Sequence, residues 1–191
     1  MRVIAGKAGS VPLVTPSGKE TRPTTDKIKE TLFNIIQQDI PGCVFIDCFA
    51  GSGAIGIEAL SRGAEKAVFI DHGKEAFECI TKNLEKTRLA DNAVVIRSEM
   101  LSAVPKIKAN ISDDTDTVYF LDPPYDQGLE YPLMRVLAQE GLIRGCDIVI
   151  IEKSLNGETM EELSMLCSEL SLTIYREKCY KNQRHIFIRK A

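Results

Sequence analysis

Two short stretches of this 191-residue chain hold residue types that do chemistry when they are brought together. The first is Asp122-Pro123-Pro124-Tyr125, directly after the apolar run 118–121. A carboxylate and a backbone carbonyl stiffened by two prolines make a pair of fixed hydrogen-bond acceptors, which is what holding the two hydrogens of an amine requires. An exocyclic amine on a nucleobase is a poor nucleophile because its lone pair is delocalised into the ring. Held at tetrahedral angles by the Asp122 carboxylate and the Pro123 carbonyl, its lone pair localises and can be aimed at an electrophilic methyl group. Pro124 keeps that carbonyl from flexing, and Tyr125 offers a flat face to a base taken out of its stack. Asp122 also stabilises the charge that develops on nitrogen and can accept the departing proton. No metal is needed. The bland alternative is a rigid strand exit with a packed tyrosine.

The second stretch is Asp47-Cys48-Phe49-Ala50-Gly51-Ser52-Gly53-Ala54-Ile55-Gly56. Gly51, Gly53 and Gly56 match G-x-G-x-x-G, a spacing that permits a tight turn, close approach of a ligand to the backbone, and close helix–strand packing. Asp71 stands 20 residues after Gly51, where an acid can hold both hydroxyls of a ribose. Asp47, at the carboxyl end of the preceding strand, would repel a pyrophosphate and attract the ammonium of a methionine moiety. Asp71 would serve either ligand, and it is Asp47 that favours S-adenosylmethionine over a dinucleotide. A packing turn with a helix-capping acid is the structural alternative.

The elements that must position these residues are legible as an α/β alternation. Residues 3–5 and 12–14 read as a short hairpin or extended arm. Thr24, Thr25 and Asp26 offer caps for a helix with Ile28, Leu32, Ile35 and Ile36 on one face, ended by Pro41-Gly42. Short β-branched runs at 44–46, 67–70, 94–96, 118–121 and 148–151 read as buried parallel strands. Helices are expected over 54–62, 75–87, 131–139 and 158–169. Period-two alternation over 172–178 and 185–189 reads as a β-hairpin at a sheet edge. The expected organisation is an N-terminal arm or hairpin over 1–22 and a single domain over 23–191.

Composition limits the classes that remain. Hydrophobic residues are 44% and charged residues 27%, which argues against disordered, fibrous and membrane classes. No apolar run approaches the ~18 residues of a membrane span, and the first 14 residues lack the apolar stretch of a signal peptide. Six cysteines without a Cys-x-x-Cys pair, and two distant histidines, read as reduced thiols and no zinc site. These features predict a cytoplasmic protein. The net charge of −3 is uneven: residues 1–29 carry +4 and residues 173–191 carry +5, leaving −12 between them. Basic ends around an acidic body suit a polyanion lying on one face, although charge also clusters in solvated ends for no such reason. The candidate RNA contacts are Arg2 and Arg22 at one end and Tyr180, Lys181 and Arg184 at the other.

Together these residues resemble class I S-adenosylmethionine-dependent amino-methyltransferases, and more narrowly the RsmD family of 16S ribosomal RNA guanine-N2 methyltransferases. The narrower resemblance rests on the stretch from Arg22 to Asn34 (RPTTDKIKETLFN), on Asp47 to Gly53, and on Asp122 to Tyr125, in that order. It implies a Rossmann-like, seven-stranded, mostly parallel sheet with an antiparallel C-terminal hairpin. It also implies that Asp71 binds the ribose, that His72 lies against the adenine, and that Glu99 or the Met100 backbone meets the adenine amino edge. The segment around Thr24 would close over the methionine end, and Phe49 counts with Asp47, Gly51 and Gly53 among the cofactor-binding residues. The implied substrate is a guanine in 16S ribosomal RNA, within an assembled or assembling small subunit. One departure stands out. Family members carry an Arg-Gly-Arg run in the arm, whereas this chain has Gly6-Lys7-Ala8-Gly9-Ser10-Val11, so part of the RNA-anchoring charge is missing.

Three other readings compete. An adenine-N6 DNA methyltransferase would use the same tetrapeptide, but no stretch is left over for a target-recognition domain. A nicotinamide-dependent oxidoreductase fits the glycine turn and gives Asp122–Tyr125 no role. A non-catalytic RNA-binding module would leave a complete cofactor site idle.

Overall fold

The computed structural model describes residues 1–16, 25–124, 127–155 and 160–191. Its strands are β1 (Val44–Asp47), β2 (Lys66–Asp71), β3 (Ala93–Arg97), β4 (Thr117–Leu121), β5 (Ile148–Ser154), β6 (Leu172–Cys179) and β7 (Gln183–Lys190). They form one sheet in the order β3-β2-β1-β4-β5-β7-β6. β1 to β5 run parallel, and β7 is antiparallel to both β5 and β6. The helices are α1 (Asp26–Ile35), α2 (Ala54–Ser61), α3 (Lys74–Thr87), α4 (Met100–Lys108), α5 (Glu130–Gln139) and α6 (Met160–Glu169). This is the α/β class the alternation predicts, with the expected antiparallel hairpin at one edge.

The central strands are apolar on both sides because helices cover both faces. On one face Phe45, Phe69, Phe120, Ile150 and Phe187 pack with Leu32 and Phe33 of α1, Ile36 just past its end, and Ile57 of α2. On the other, Ile46, Tyr119, Leu121 and Ile151 pack with Ile107 of α4, Leu133 of α5 and Leu163 of α6. The outer strand β6 is mostly exposed and carries Arg176, Glu177 and Lys178, charges that discourage edge-to-edge pairing. Among the described residues no helix is long and apolar enough to cross a membrane.

The N-terminal arm is a hairpin-like loop closed by an Arg2–Pro12 bridge, and Val3, Ala8 and Leu13 enter the first core cluster. Glu58 of α2 anchors it. Its fully buried carboxylate accepts the amides of Ile4 at 2.7 Å and Ala5 at 3.0 Å, and pairs with Lys29 at 3.2 Å and Arg62 at 2.7 Å. Burial pushes the Lys29 ammonium down from its ordinary value, against the pull of Glu58. Asn83 of α3 holds the far end of the arm, donating to the carbonyls of Val14 and Ser52 and accepting the Val14 amide, each at 2.9 Å.

Three elements depart from the expectation. α1 begins after Thr25, whose hydroxyl accepts the Ile28 amide, but it ends at Ile35, well before Pro41-Gly42. α4 is unpredicted because Pro105 lies inside it. Pro105 is exposed, and the carbonyl it leaves without a helical donor, at exposed Leu101, lies on the outer turn where water can reach it. β5 runs on past Ile151 to Ser154 and so brings Glu152 and Lys153 into the sheet.

Candidate active site

In an open parallel sheet the ligand crevice lies outside the carboxyl ends of the strands, where the strand order reverses. Here that point is between β1 and β4, both of which carry a chemistry-bearing motif on leaving the sheet.

The turn after β1 uses its three glycines for different reasons. Gly51 sits at φ +52°, and a Cβ there would meet nothing within 4 Å, so its backbone faces open space. Gly53 is the N-cap of α2 at φ +75°, a left-handed conformation that favours glycine. At Gly56 a Cβ would lie 2.4 Å from the Phe69 ring, so only hydrogen lets α2 close on β2.

Asp71 ends β2 and straddles this turn. Its Oδ2 accepts the Gly51 amide at 2.9 Å and its Oδ1 accepts the Gly73 amide at 2.8 Å. A carboxylate has about four lone-pair sites, so two remain for ribose hydroxyls. Asp47 is only 2% exposed and is committed at one oxygen, since Oδ2 accepts the Gly56 amide at the start of α2 at 3.0 Å. The acid expected to stand open in the crevice therefore also pins the helix that opens it. Burial pushes its carboxyl up to about 7; the Gly56 hydrogen bond opposes the rise and Asp71 adds to it. An ammonium group arriving beside it would relieve that cost, which suits a methionine moiety.

Of the remaining expected cofactor residues, His72, Glu99, Met100 and Phe49 follow the carboxyl ends of β2, β3 and β1. His72 is exposed, with Nδ1 4.0 Å from Asp71 Oδ1. Glu99 is the exposed N-cap of α4, whereas the Met100 side chain enters the second core cluster, leaving its backbone at the rim. Phe49 is half-buried against that cluster. The open backbone at Gly51, the acid with spare acceptors at Asp71 and the buried acid at Asp47 fit an adenosyl group carrying a cationic amino-acid tail.

Asp122 leaves β4 half-buried, followed by buried Pro123 and exposed Pro124. Burial, then the negative charges of Glu152 and Asp47, raise the Asp122 carboxyl well above its ordinary range. Thr24, Arg22 and Tyr125 lie outside the described residues.

The C-terminal hairpin brings its turn to the same edge of the sheet, because β6 runs parallel to β5 and β7 runs back. Lys181 is exposed in that turn and Tyr180 is half-buried. Arg184 is less open than its place in a basic segment suggests, being half-buried and paired with Glu177 at 2.9 Å. Arg2 is exposed at the arm, paired with Asp26 at 3.1 Å.

Sequence reasoning missed a buried polar cluster behind Asp122. Glu152 and His185 stand opposite each other on β5 and β7, with His185 Nε2 2.9 Å from Glu152 Oε2. Gln183 Nε2 donates to Glu152 Oε1 at 2.6 Å, and the Tyr180 hydroxyl lies 3.1 Å from His185 Nδ1. One signal was available: Glu152 follows an apolar strand run just as Asp122 does.

The chain is similar to known proteins over most of its length. Residues 1–188 match the family described as conserved hypothetical protein 95. The chain is 34% identical over 155 residues to ribosomal RNA small subunit methyltransferase D of Escherichia coli strain K12, covering 81% of this chain and 75% of that protein. It is 32% identical over 157 residues to the protein of the same name from Buchnera aphidicola, covering 82% and 76%. The solved structure of yhhF from Escherichia coli superposes with a TM-score of 0.78 at 29% identity, covering 100% of this chain and 98% of that one.

Proposed function

The chain belongs to the conserved hypothetical protein 95 family, the RsmD family of the sequence resemblance, and from that premise we propose that it methylates the exocyclic N2 amine of a guanine in 16S ribosomal RNA, with S-adenosylmethionine as donor. The observation that carries the reading is the placement of Asp122-Pro123 at the carboxyl end of β4, beside the crevice that Gly51 and Asp71 form at the ends of β1 and β2. An amine-holding motif and a nucleoside-holding turn on one edge call for a methyl donor and an amine acceptor meeting between them.

S-adenosylmethionine supplies an electrophilic methyl group. Asp71 would hold the ribose, Asp47 the methionine ammonium, and the rim at His72, Glu99 and the Met100 backbone the adenine. The Asp122 carboxylate and the Pro123 carbonyl accept the two N–H groups of the guanine amine, which localises its lone pair and fixes its approach. Tyr125 stacks on the base, which must leave its helix to reach a recessed carboxylate. Asp122 then takes the proton that nitrogen sheds. The basic arm and hairpin, through Arg2, Arg22, Tyr180, Lys181 and Arg184, hold the phosphates around the target nucleotide. On this reading the enzyme works in the cytoplasm, on an assembled or assembling small subunit.

The test is methyl transfer from labelled S-adenosylmethionine to unmethylated small ribosomal subunits, naked 16S RNA and duplex DNA, with the product nucleosides identified by mass spectrometry. N2-methylguanosine from a ribosomal acceptor is the expected product. N6-methyladenine in DNA, or no transfer despite tight donor binding, overturns the reading.

A further inference from the structure

Asp122 directly follows the Leu121–Ile151 pair that joins β4 to β5. The next position on β5, Glu152, is therefore its neighbour in register and shares its face of the sheet. Glu152 is only 4% exposed, and both of its oxygens are gripped, Oε1 by Gln183 at 2.6 Å and Oε2 by His185 at 2.9 Å. His185 is fully buried, enclosed by the rings of Phe120 and Phe187 with centroids 6.0 and 6.4 Å away. A carboxylate at the end of an apolar strand is costly to bury, and packing alone gives no reason to keep one there. What distinguishes it is its neighbour, the acid of the amine-holding motif.

We propose, on the amino-methylation reading above, that Glu152 is a positioning residue whose negative charge, held in place by Gln183 and His185, makes Asp122 the proton acceptor of the transfer. The step it serves is proton loss from the newly methylated nitrogen. One N–H bond breaks, its electron pair stays on nitrogen, and an O–H bond forms on an Asp122 carboxylate oxygen, leaving a neutral secondary amine. A lone carboxylate is a good hydrogen-bond acceptor and a weak base; a second carboxylate beside it, in a place shielded from water, strengthens the base. Among the described residues, the titratable groups that face Asp122 are Asp47 from β1 and Glu152 from β5, with His185 of β7 and Tyr180 behind Glu152; Asp71 of β2 acts through Asp47. Lys153 belongs to the other face, where its ammonium meets Glu130 at 2.8 Å and the Tyr131 hydroxyl at 2.9 Å. Burial and the two acids together raise the affinity of Asp122 for a proton.

The experiment is a pH titration of carbon-13-labelled Asp carboxyls by NMR in the protein without donor, run alongside the pH profile of methyl transfer. In the wild-type chain Asp122 should titrate above the ordinary carboxylate range. In Glu152→Gln, which retains a hydrogen-bonding amide, the midpoint should fall by about one pH unit or more, and the acid limb of the rate profile should move with it. Glu152→Asp keeps the charge and should stay near wild type. An unmoved midpoint in Glu152→Gln overturns the assignment. So does an Asp122 that titrates in the ordinary range in the wild-type chain, a result that needs no variant to fold. A midpoint that moves in a chain that methylates no RNA overturns the amino-methylation reading instead, and the proton role with it.

Discussion

Asp71 and Gly51 are joined across 20 residues of sequence: the carboxylate Oδ2 accepts the glycine amide at 2.9 Å, so the end of β2 holds the turn that leaves β1. The same side chain holds Gly73 at 2.8 Å through its other oxygen. Replacing it removes two charge-assisted hydrogen bonds and, on the proposed function, the ribose anchor. Asp71→Ala should weaken S-adenosylmethionine binding by about 100-fold, measured by isothermal titration calorimetry.

Asp122 should behave in the opposite way. Its proposed work is on the acceptor amine, so Asp122→Ala should lower methyl transfer by at least ~100-fold while leaving donor affinity nearly unchanged. Single-turnover rates and calorimetry on the same preparation separate the two effects.

The glycines of the turn should divide between stability and binding. An alanine methyl at position 56 would lie 2.4 Å from the Phe69 ring, so Gly56→Ala should cost about 1–3 kcal/mol in urea denaturation. Position 51 has open space and φ +52°. Gly51→Ala should cost only about 1 kcal/mol of backbone strain, yet weaken donor binding because the methyl group projects into the crevice.

Asp47 imposes a pH dependence on the ligand-free protein. Burial pushes its carboxyl up to about 7 in the folded chain, against about 3.9 when unfolded. Folding therefore takes up a proton in that window. The stability contribution is full below about pH 4 and is lost as pH rises to about 7. Asp47→Asn, which keeps an acceptor for the Gly56 amide, should be the more stable chain near pH 8, by on the order of 1–3 kcal/mol, and lose that advantage near pH 4. Thermal unfolding at the two pH values decides it.

Glu58 should prove the main anchor of the N-terminal arm. It is fully buried and serves two amides and two cations. Glu58→Gln leaves the buried Lys29 ammonium without its counter-charge and should cost about 3–5 kcal/mol, read by chemical denaturation.

Much of the fold was legible because its signals are local. β-Branched runs marked all five parallel strands; four are buried nearly throughout, as a continuously apolar run implies, whereas β3 at the sheet edge is mostly half-buried. Period-two alternation marked the hairpin, yet β7 is buried on both faces from His185 to Ile188, with Phe187 in the first core cluster and Ile186 and Ile188 in the second, while β6 is mostly exposed. α4 was hidden by Pro105, whose cost is tolerable only on the exposed side of the helix, and no local pattern states which side is exposed. The carboxyl end of β5 was hidden similarly: Glu152 and Lys153 look like the start of a polar loop until their partners are known.

The sequence by itself determined which residues stand at the carboxyl ends of the strands, and with them the glycine turn, Asp47, Asp71 and Asp122-Pro123, because Asp47 and Asp71 end their strands, Asp122-Pro123 directly follows β4, and Gly51 comes four residues after β1. Only the tertiary structure decided what those acids touch. That Asp47 spends an oxygen on Gly56, that Glu58 anchors the arm, and that Glu152 lies between Asp122 and His185 depend on strand order and register. Glu152 meets its partner 33 residues away on an antiparallel strand. A contact of that kind is set by how the whole sheet pairs, since shifting β7 by one residue would turn His185 to the opposite face and leave the Glu152 charge buried without it.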